Sequence, residues 1–80
     1  MLSKRLVKTV RVTVGAEVCA VNYYEVRTLR GVRRVTSEIV LPSSERIILD
    51  DDSLEGLESR VERVVPAMVY SRRLAGATAA

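Results

Sequence analysis

The first half of the chain alternates between hydrophobic and polar residues, the period expected of β-strands that bury one face. The alternation is clearest over residues 5–14, where Val7 and Lys8 interrupt it near the start. The pattern predicts a half-buried strand. It assigns to the buried face Leu6, Val10, Val12 and Val14, and to the other face Arg5, Thr9, Arg11 and Thr13.

Three further segments have strand character, because they are rich in Val, Ile or Tyr and are separated by turn residues. The predicted strands lie at 18–28, 32–41 and 46–49. Gly15, Gly31 and Pro42 mark the turns, since Gly accepts a positive φ and Pro cannot donate to a strand ladder. Apolar residues occupy both faces of the second strand, so the pattern leaves open which face carries Tyr23 and which carries Tyr24. One face of the third strand carries Val35, Ser37, Ile39 and Leu41.

A helix is predicted after the acidic run that ends at Asp52. Asp52 suits the N-cap position, and Glu55 three residues later completes the spacing of a capping box. Apolar residues then recur at intervals of three and four, which is typical of an amphipathic helix lying across a sheet. The stripe consists of Leu54, Leu57, Val61, either Val64 or Val65, and Met68.

Pro66 lacks a backbone N–H and predicts a kink in this helix; the alternative is a helix that ends near Val64 and restarts at Pro66. Arg72 and Arg73 are expected in the last turn, where cations complement the helix dipole. The short turns between strands exclude parallel pairing. The sequence therefore predicts an α+β fold, a four-stranded antiparallel β-meander followed by one C-terminal amphipathic helix (ββββα). Its single domain covers residues 4–75 and a flexible tail covers 76–80.

Composition agrees with a small globular domain, with 48% hydrophobic and 29% charged residues among 80. Cys19 is the only cysteine, which excludes an intrachain disulfide and favours a reducing, cytoplasmic location. No apolar run approaches the roughly 18 residues of a membrane helix, and the N-terminal segment lacks the features of a signal peptide. We expect a cytoplasmic protein with no membrane partner.

Catalytic chemistry has little support, because the chain contains no histidine, the usual proton carrier near neutral pH. Cys19 in a Val-rich strand is predicted to be a small buried hydrophobic residue and not a nucleophile. Asp50, Asp51, Asp52 and Glu55 could bind a hard cation, but a helix N-terminus accounts for their charge and the spacing of an EF-hand is missing. We therefore expect neither an enzyme, nor a metal site, nor a cofactor.

Charge is distributed unevenly. Residues 1–34 hold eight Lys or Arg against two Glu, a net charge of +6, whereas residues 35–80 carry a net charge of −3. Four arginines surround the turn at Gly31, and guanidinium forks match phosphate oxygens. We interpret Arg27, Arg30, Arg33 and Arg34 as candidate nucleic-acid contacts on a projecting hairpin. The alternative is that these cations protect an exposed hairpin from aggregation.

A second candidate surface is the outward face of the sheet. There Arg11, with Arg5 and Thr9, is expected beside Arg34 and Thr36, and Tyr23 or Tyr24 would stack on unpaired bases. Neither single- nor double-stranded nucleic acid is favoured. The alternative function is a homo-oligomeric structural or protein-interaction domain, with a dimer favoured, because one helix cannot cover both faces of the sheet.

The joint between the last strand and the helix resembles that of the whirly-related transcriptional coactivators. The resemblance rests on the ββββα order and on the stretch that contains Pro42-Ser43, Ile47, Leu49, Leu54 and Leu57, although the spacing from the hairpin glycine to the proline differs from that of the family. Members of that family bind single-stranded nucleic acid as dimers, so the resemblance implies the same class of function. This chain departs from the family by having no lysine-rich segment after the proline and by having Leu54 in place of a tryptophan.

Overall fold

The computed structural model describes residues 3–78, and the side chains through residue 75. Its elements are β1 (Ser3–Val14), β2 (Glu17–Arg27), β3 (Arg33–Val40), β4 (Arg46–Asp51) and α1 (Leu54–Thr78). The strands form one antiparallel sheet in the order β1-β2-β3-β4. This confirms the predicted ββββα fold, and each pair of neighbouring strands is joined by a short turn.

The predicted turn residues adopt the backbone conformations that they were expected to supply. Gly15 and Gly31 have φ of +62° and +78°, a region that is open to glycine and costly for most other residues. At the third turn the positive φ falls on Ser44, at +72°, and not on a glycine. The Ser44 amide donates to the carbonyl of Leu41, which closes that turn.

A β-bulge in β1 changes the faces that the alternation predicts. Leu6 pairs with Tyr24, but Lys8 pairs with Tyr23, so Val7 is an extra residue in the ladder. Tyr23 is in the core and Tyr24 points to the opposite face. Leu6 therefore lies on the face of the sheet opposite α1, called the open face below, and its predicted place beside the core residues of β1 is wrong.

The same bulge moves Arg5 away from the outer surface predicted for it. Arg5 pairs with Glu25, and Glu25 pairs with the buried Val35. Arg5 therefore projects on the face that α1 covers, called the helix face below, whereas Thr9 and Arg11 project on the open face. Strand β2 lies between β1 and β3, so Thr9 and Arg11 are not direct neighbours of the polar residues of β3.

The hydrophobic core lies between the helix face and α1. Four helix residues at i, i+4 spacing are at most 2% exposed, and they pack on alternate residues of β2 and β3. The stripe is wider than the sequence pattern predicts, because Val69 is included and both Val64 and Val65 contribute. The buried hydrophobic residues are Cys19, Val21, Tyr23, Val35, Ile39, Leu41, Leu57, Val61, Val65 and Val69.

The helix begins one residue later than predicted. The Ser53 hydroxyl accepts from the amide of Gly56 at 3.1 Å, and the Ser53 carbonyl accepts the first helical hydrogen bond, from Leu57. Ser53 is therefore the N-cap, and Glu55 is not at the capping-box position. Asp51 ends β4 and accepts the amides of Asp52 and Ser53, which lowers the pKa of its carboxyl.

The helix continues through Pro66 and ends at Thr78. α1 therefore neither stops near Val64 nor restarts at Pro66. Pro66 lies on the exposed side of the helix. The last turn holds no basic residue. Arg72 and Arg73 lie earlier in α1, where Arg72 pairs with Glu45 of the β3–β4 turn and Arg73 pairs with Glu17 of β2. The predicted domain end at residue 75 precedes the observed helix end, and residues 79–80 of the predicted tail lie outside the described part of the chain.

Within residues 3–78, no helix is both long enough and apolar enough to cross a membrane.

Ser37 is the one polar residue recorded in the described core, fully buried with no hydrogen-bond partner for its hydroxyl. An unpaired buried hydroxyl costs about 1 to 3 kcal/mol. We expect Ser37→Ala to raise the free energy of unfolding by about 1 kcal/mol, because the lost group is polar and the cavity is small. Urea denaturation measures this change, and a Ser37→Ala protein less stable than the wild type would show that the hydroxyl has a partner.

Candidate nucleic-acid interface

The hairpin between β2 and β3 extends past the end of β4. Strand β4 stops at Asp51, opposite Val35, whereas the β2–β3 ladder continues for two more pairs to Arg27 and Arg33. A turn over residues 28–32 closes the hairpin, with the Thr28 amide and carbonyl both used in its hydrogen bonds. The candidate arginines therefore stand at one end of an elongated molecule, 49 Å in its longest dimension.

Three guanidinium groups converge on one carboxylate at this end. Glu25 lies 3.7 Å from Arg5, 4.0 Å from Arg27 and 3.6 Å from Arg33. Arg27 and Arg33 are paired across the ladder, and the bulge in β1 brings Arg5 to the same face. We call these four residues the Arg5–Glu25 cluster; its net charge is +2.

The geometry of the cluster leaves donors available. Separations of 3.6 to 4.0 Å are longer than hydrogen bonds, so each arginine is attracted to Glu25 without having its N–H groups saturated. The three arginine side chains are more than half exposed, whereas that of Glu25 is 19% exposed. Together with Ser3 they line a depression of about 400 Å³. The arrangement can bind an anionic group such as phosphate.

The tip of the hairpin combines a cation with exposed apolar side chains. Arg30 lies in the turn and is exposed. Leu29 is 79% exposed and Val32 is 52% exposed, so two large apolar side chains stand together in the solvent at the tip. The hairpin therefore presents an apolar tip with arginines behind it.

Arg34 belongs to the other face. It follows Arg33 by one residue, so it projects on the open face, where its guanidinium donates to Asp52 at 2.6 Å. Both groups are substantially exposed, so this ion pair is a weak one. Of the four arginines predicted around Gly31, the structure brings Arg27 and Arg33 together, leaves Arg30 at the tip, and directs Arg34 elsewhere.

The remaining predicted residues are dispersed. Tyr23 is 4% exposed beneath α1, where burial and then Glu58 and Glu62 raise the pKa of its phenol, and its ring is not available for stacking. Tyr24 lies on the open face with the ammonium of Lys4 at 4.3 Å from its ring centre. Arg11 is also on the open face, opposite Ala20. Ala20 and Arg27 are seven positions apart along β2, so Arg11 lies about 24 Å from the Arg27 end of the strand.

Two of the groups considered for catalysis or metal binding, Cys19 and Asp51, have defined surroundings in the structure. Cys19 is fully buried, as predicted, and burial followed by the charge of Glu17 raises the pKa of its thiol. In the described residues, no three His, Cys, Asp or Glu side chains are arranged to hold a metal ion. Asp51 caps the start of α1 and contacts Arg60 at 3.6 Å.

Sequence reasoning did not include Arg5 or Glu25 in the hairpin site. Arg5 reaches the cluster only because β1 contains a bulge, and an alternating pattern carries no marker for the position of the extra residue. The interruption at Val7 and Lys8 was the available signal. From the sequence alone, Glu25 is one of two acidic residues among the cations of residues 1–34. Its position between three arginines follows from the strand register.

The fold and the cluster define a small α+β protein with a cationic, apolar-tipped hairpin. Comparisons of the chain with protein-family models, with curated proteins and with solved structures found no match. The functional assignment therefore depends on the chemistry of the site.

Proposed function

We propose that this protein is a nucleic-acid-binding module that contacts phosphates through the β2–β3 hairpin and the Arg5–Glu25 cluster. The observation that carries the proposal is the convergence of Arg5, Arg27 and Arg33 on the one carboxylate of Glu25. Structural ion pairing needs one cation for that carboxylate. The two additional cations keep exposed guanidinium forks, which bind phosphate oxygens in two-point contacts.

Glu25 has a positioning role in this proposal. Its attraction orders three long side chains that would otherwise lose more conformational entropy when they bind. Because the cluster retains a net charge of +2, a phosphate is attracted despite the carboxylate. Arg30 at the tip adds a further contact.

The shape of the hairpin supports nucleic acid as the polyanion. A two-stranded β-ribbon fits the major groove of a duplex, where phosphate contacts set its position. Leu29 is exposed at the tip, and leucine is one of the apolar residues that DNA-binding proteins insert between base steps. A solvated anti-aggregation hairpin would gain nothing from a leucine that is 79% exposed.

Fluorescence anisotropy with labelled oligonucleotides tests the proposal. We expect binding of a duplex or a single strand at ~50 mM salt that weakens steeply towards ~200 mM, because each phosphate contact releases a counterion. Three to four contacts predict a slope of log K against log salt of about −3 for a duplex. Absence of binding to both oligonucleotides at the lower salt concentration would contradict the proposed function.

A further inference from the structure

The two edges of the sheet differ in how they are protected. Unpaired edge strands can recruit another strand, and proteins block this with cations, bulges or proline. The edge strand β1 carries two of these devices, the bulge at Val7 and four cations. The other edge strand, β4, has an unbroken register with β3 and the apolar run Ile47, Ile48 and Leu49. Ile48 is 59% exposed. β4 is the less protected edge: it has no bulge, and its cations are Arg46 at its start and Arg60 of α1, which donates to the carbonyl of Asp50.

The helix presents an apolar flank above the same edge. Arg60 donates to the carbonyl of Asp50 in β4 at 2.5 Å, which locates this flank of α1 on the β4 side. On the opposite flank, Glu58 accepts from Lys8 of β1. The β4 flank contains a groove of about 340 Å³, which is lined by Arg60, Arg63, Val64, Ala67 and Met68.

We propose that β4 is the interface between two copies of this chain. The two β4 strands pair antiparallel about a twofold axis through Ile48, which makes one eight-stranded sheet with both helices on the same face. The inference does not depend on nucleic-acid binding. The proposed dimer also differs from one in which two copies bury their open faces against each other. Here the surfaces that meet are the β4 edges and the helix flanks.

The charges of β4 select this register. With Ile48 opposite its own equivalent, Arg46 lies opposite Asp50 of the second copy, and Ile47 lies opposite Leu49. Arg46 and Asp50 are on the open face, where Arg46 donates to Glu38 of β3 at 3.1 Å through one of its guanidinium nitrogens. In the proposed dimer its remaining N–H groups reach Asp50 of the second copy, so two identical interchain ion pairs form, one on each side of the axis. The Asp50 carboxylate has no ion-pair partner within residues 3–75 of one copy.

Other registers lose this complementarity. A shift of the twofold axis to Leu49 places Asp50 opposite Ile48, and a shift to Ile47 places Arg46 opposite Ile48. Intermediate registers oppose residues from different faces of the sheet, which an antiparallel ladder does not permit.

The flank of α1 on the β4 side supplies a second contact in the proposed dimer. Ion pairs of Arg60 with Asp51 and of Arg72 with Glu45 connect α1 to the two ends of β4. Between these two arginines the groove is lined by the half-buried Val64 and the exposed Ala67. In the proposed dimer these side chains of the two copies face each other across the axis, where the small Ala67 side chain lets the helices approach.

Sedimentation equilibrium of the full chain tests the inference. We expect a dimer, about twice the 8.9 kDa mass of the chain, at micromolar concentration. Asp50→Arg places like charges opposite each other at both interchain ion pairs and should raise the dimer Kd by on the order of 100-fold. Adding Arg46→Asp to Asp50→Arg restores opposite charges and should recover much of the affinity.

A matched pair of helix variants tests the second half of the contact. Ala67→Glu places a charged side chain at the apposed flank and should weaken the dimer by at least about tenfold. Ser59→Glu adds the same residue at an exposed position of α1 away from the flank and should leave the dimer Kd unchanged. Circular dichroism checks that each variant remains folded.

Hydrogen exchange of the wild type gives a readout that needs no variant. Amides of residues 46–50 that face outwards from the monomer should gain protection as the protein concentration rises through the dimer Kd. A monomer at every concentration, concentration-independent exchange in β4, or a dimer that neither Asp50→Arg nor Ala67→Glu weakens would each overturn the inference.

Discussion

Leu57→Ala should lower the free energy of unfolding by about 2 to 5 kcal/mol, the range for truncating a fully buried leucine. Leu57 is completely buried in the first turns of α1, where it packs in the core between helix and sheet. An 80-residue domain has about 4 to 12 kcal/mol of total stability, so the substitution removes a large part of it. Urea denaturation at one fixed protein concentration measures the change.

Leu29→Ala is the matched control. It makes the same chemical change at a side chain that is 79% exposed at the hairpin tip. We expect a stability change within about 0.5 kcal/mol, because little apolar surface is removed from a buried site. Equal losses for Leu57→Ala and Leu29→Ala would contradict the placement of the core between α1 and the helix face.

Replacing Arg27, Arg30 and Arg33 together by alanine should weaken nucleic-acid binding by on the order of 1,000-fold at low salt, since charge-assisted hydrogen bonds contribute about 1.5 kcal/mol or more each. The slope of log K against log salt should also fall in magnitude by about two to three. Stability should change little, because the three side chains are exposed. Anisotropy titrations at several salt concentrations measure both effects.

The control for this variant changes arginines away from the hairpin. Arg73→Ala with Arg11→Ala removes one exposed cation from the helix and one from the open face, and Arg27→Ala with Arg33→Ala removes two from the hairpin. Both double variants lose two positive charges. If the cluster is the binding site, the hairpin double variant loses more nucleic-acid affinity than the control double variant. Equal effects of the two pairs would show that net charge alone determines binding.

The fold was largely predictable from the chain because each element carries its own local signal. Alternating Val and Ile residues define the strands, Gly15 and Gly31 have the positive φ that tight turns require, and the apolar stripe of α1 matches its buried side. The start of the helix was less certain. Asp52 and Ser53 are both good N-caps, and only the hydrogen bond from Gly56 distinguishes them.

The site was predictable in part. Arg27, Arg30 and Arg33 are close in sequence, so their grouping follows from a hairpin at Gly31. The place of Arg5 beside them depends on a bulge in β1. Tyr23 and Tyr24 are adjacent and must lie on opposite faces, but which of them is buried depends on the face of β2 that packs against α1. Register is set by packing across the whole sheet, which the alternation of a single strand does not encode.

The central claim is that the cationic end of the sheet binds nucleic acid, and an NMR titration of the 80-residue chain with a short oligonucleotide tests it most directly. The account predicts that backbone amide shifts change for residues 3–5, 25–27 and 28–33, and that they do so less at higher salt. Amides of Arg11 and the centre of the open face should be unaffected. Shift changes confined to the open face, or no changes at low salt, would contradict the account.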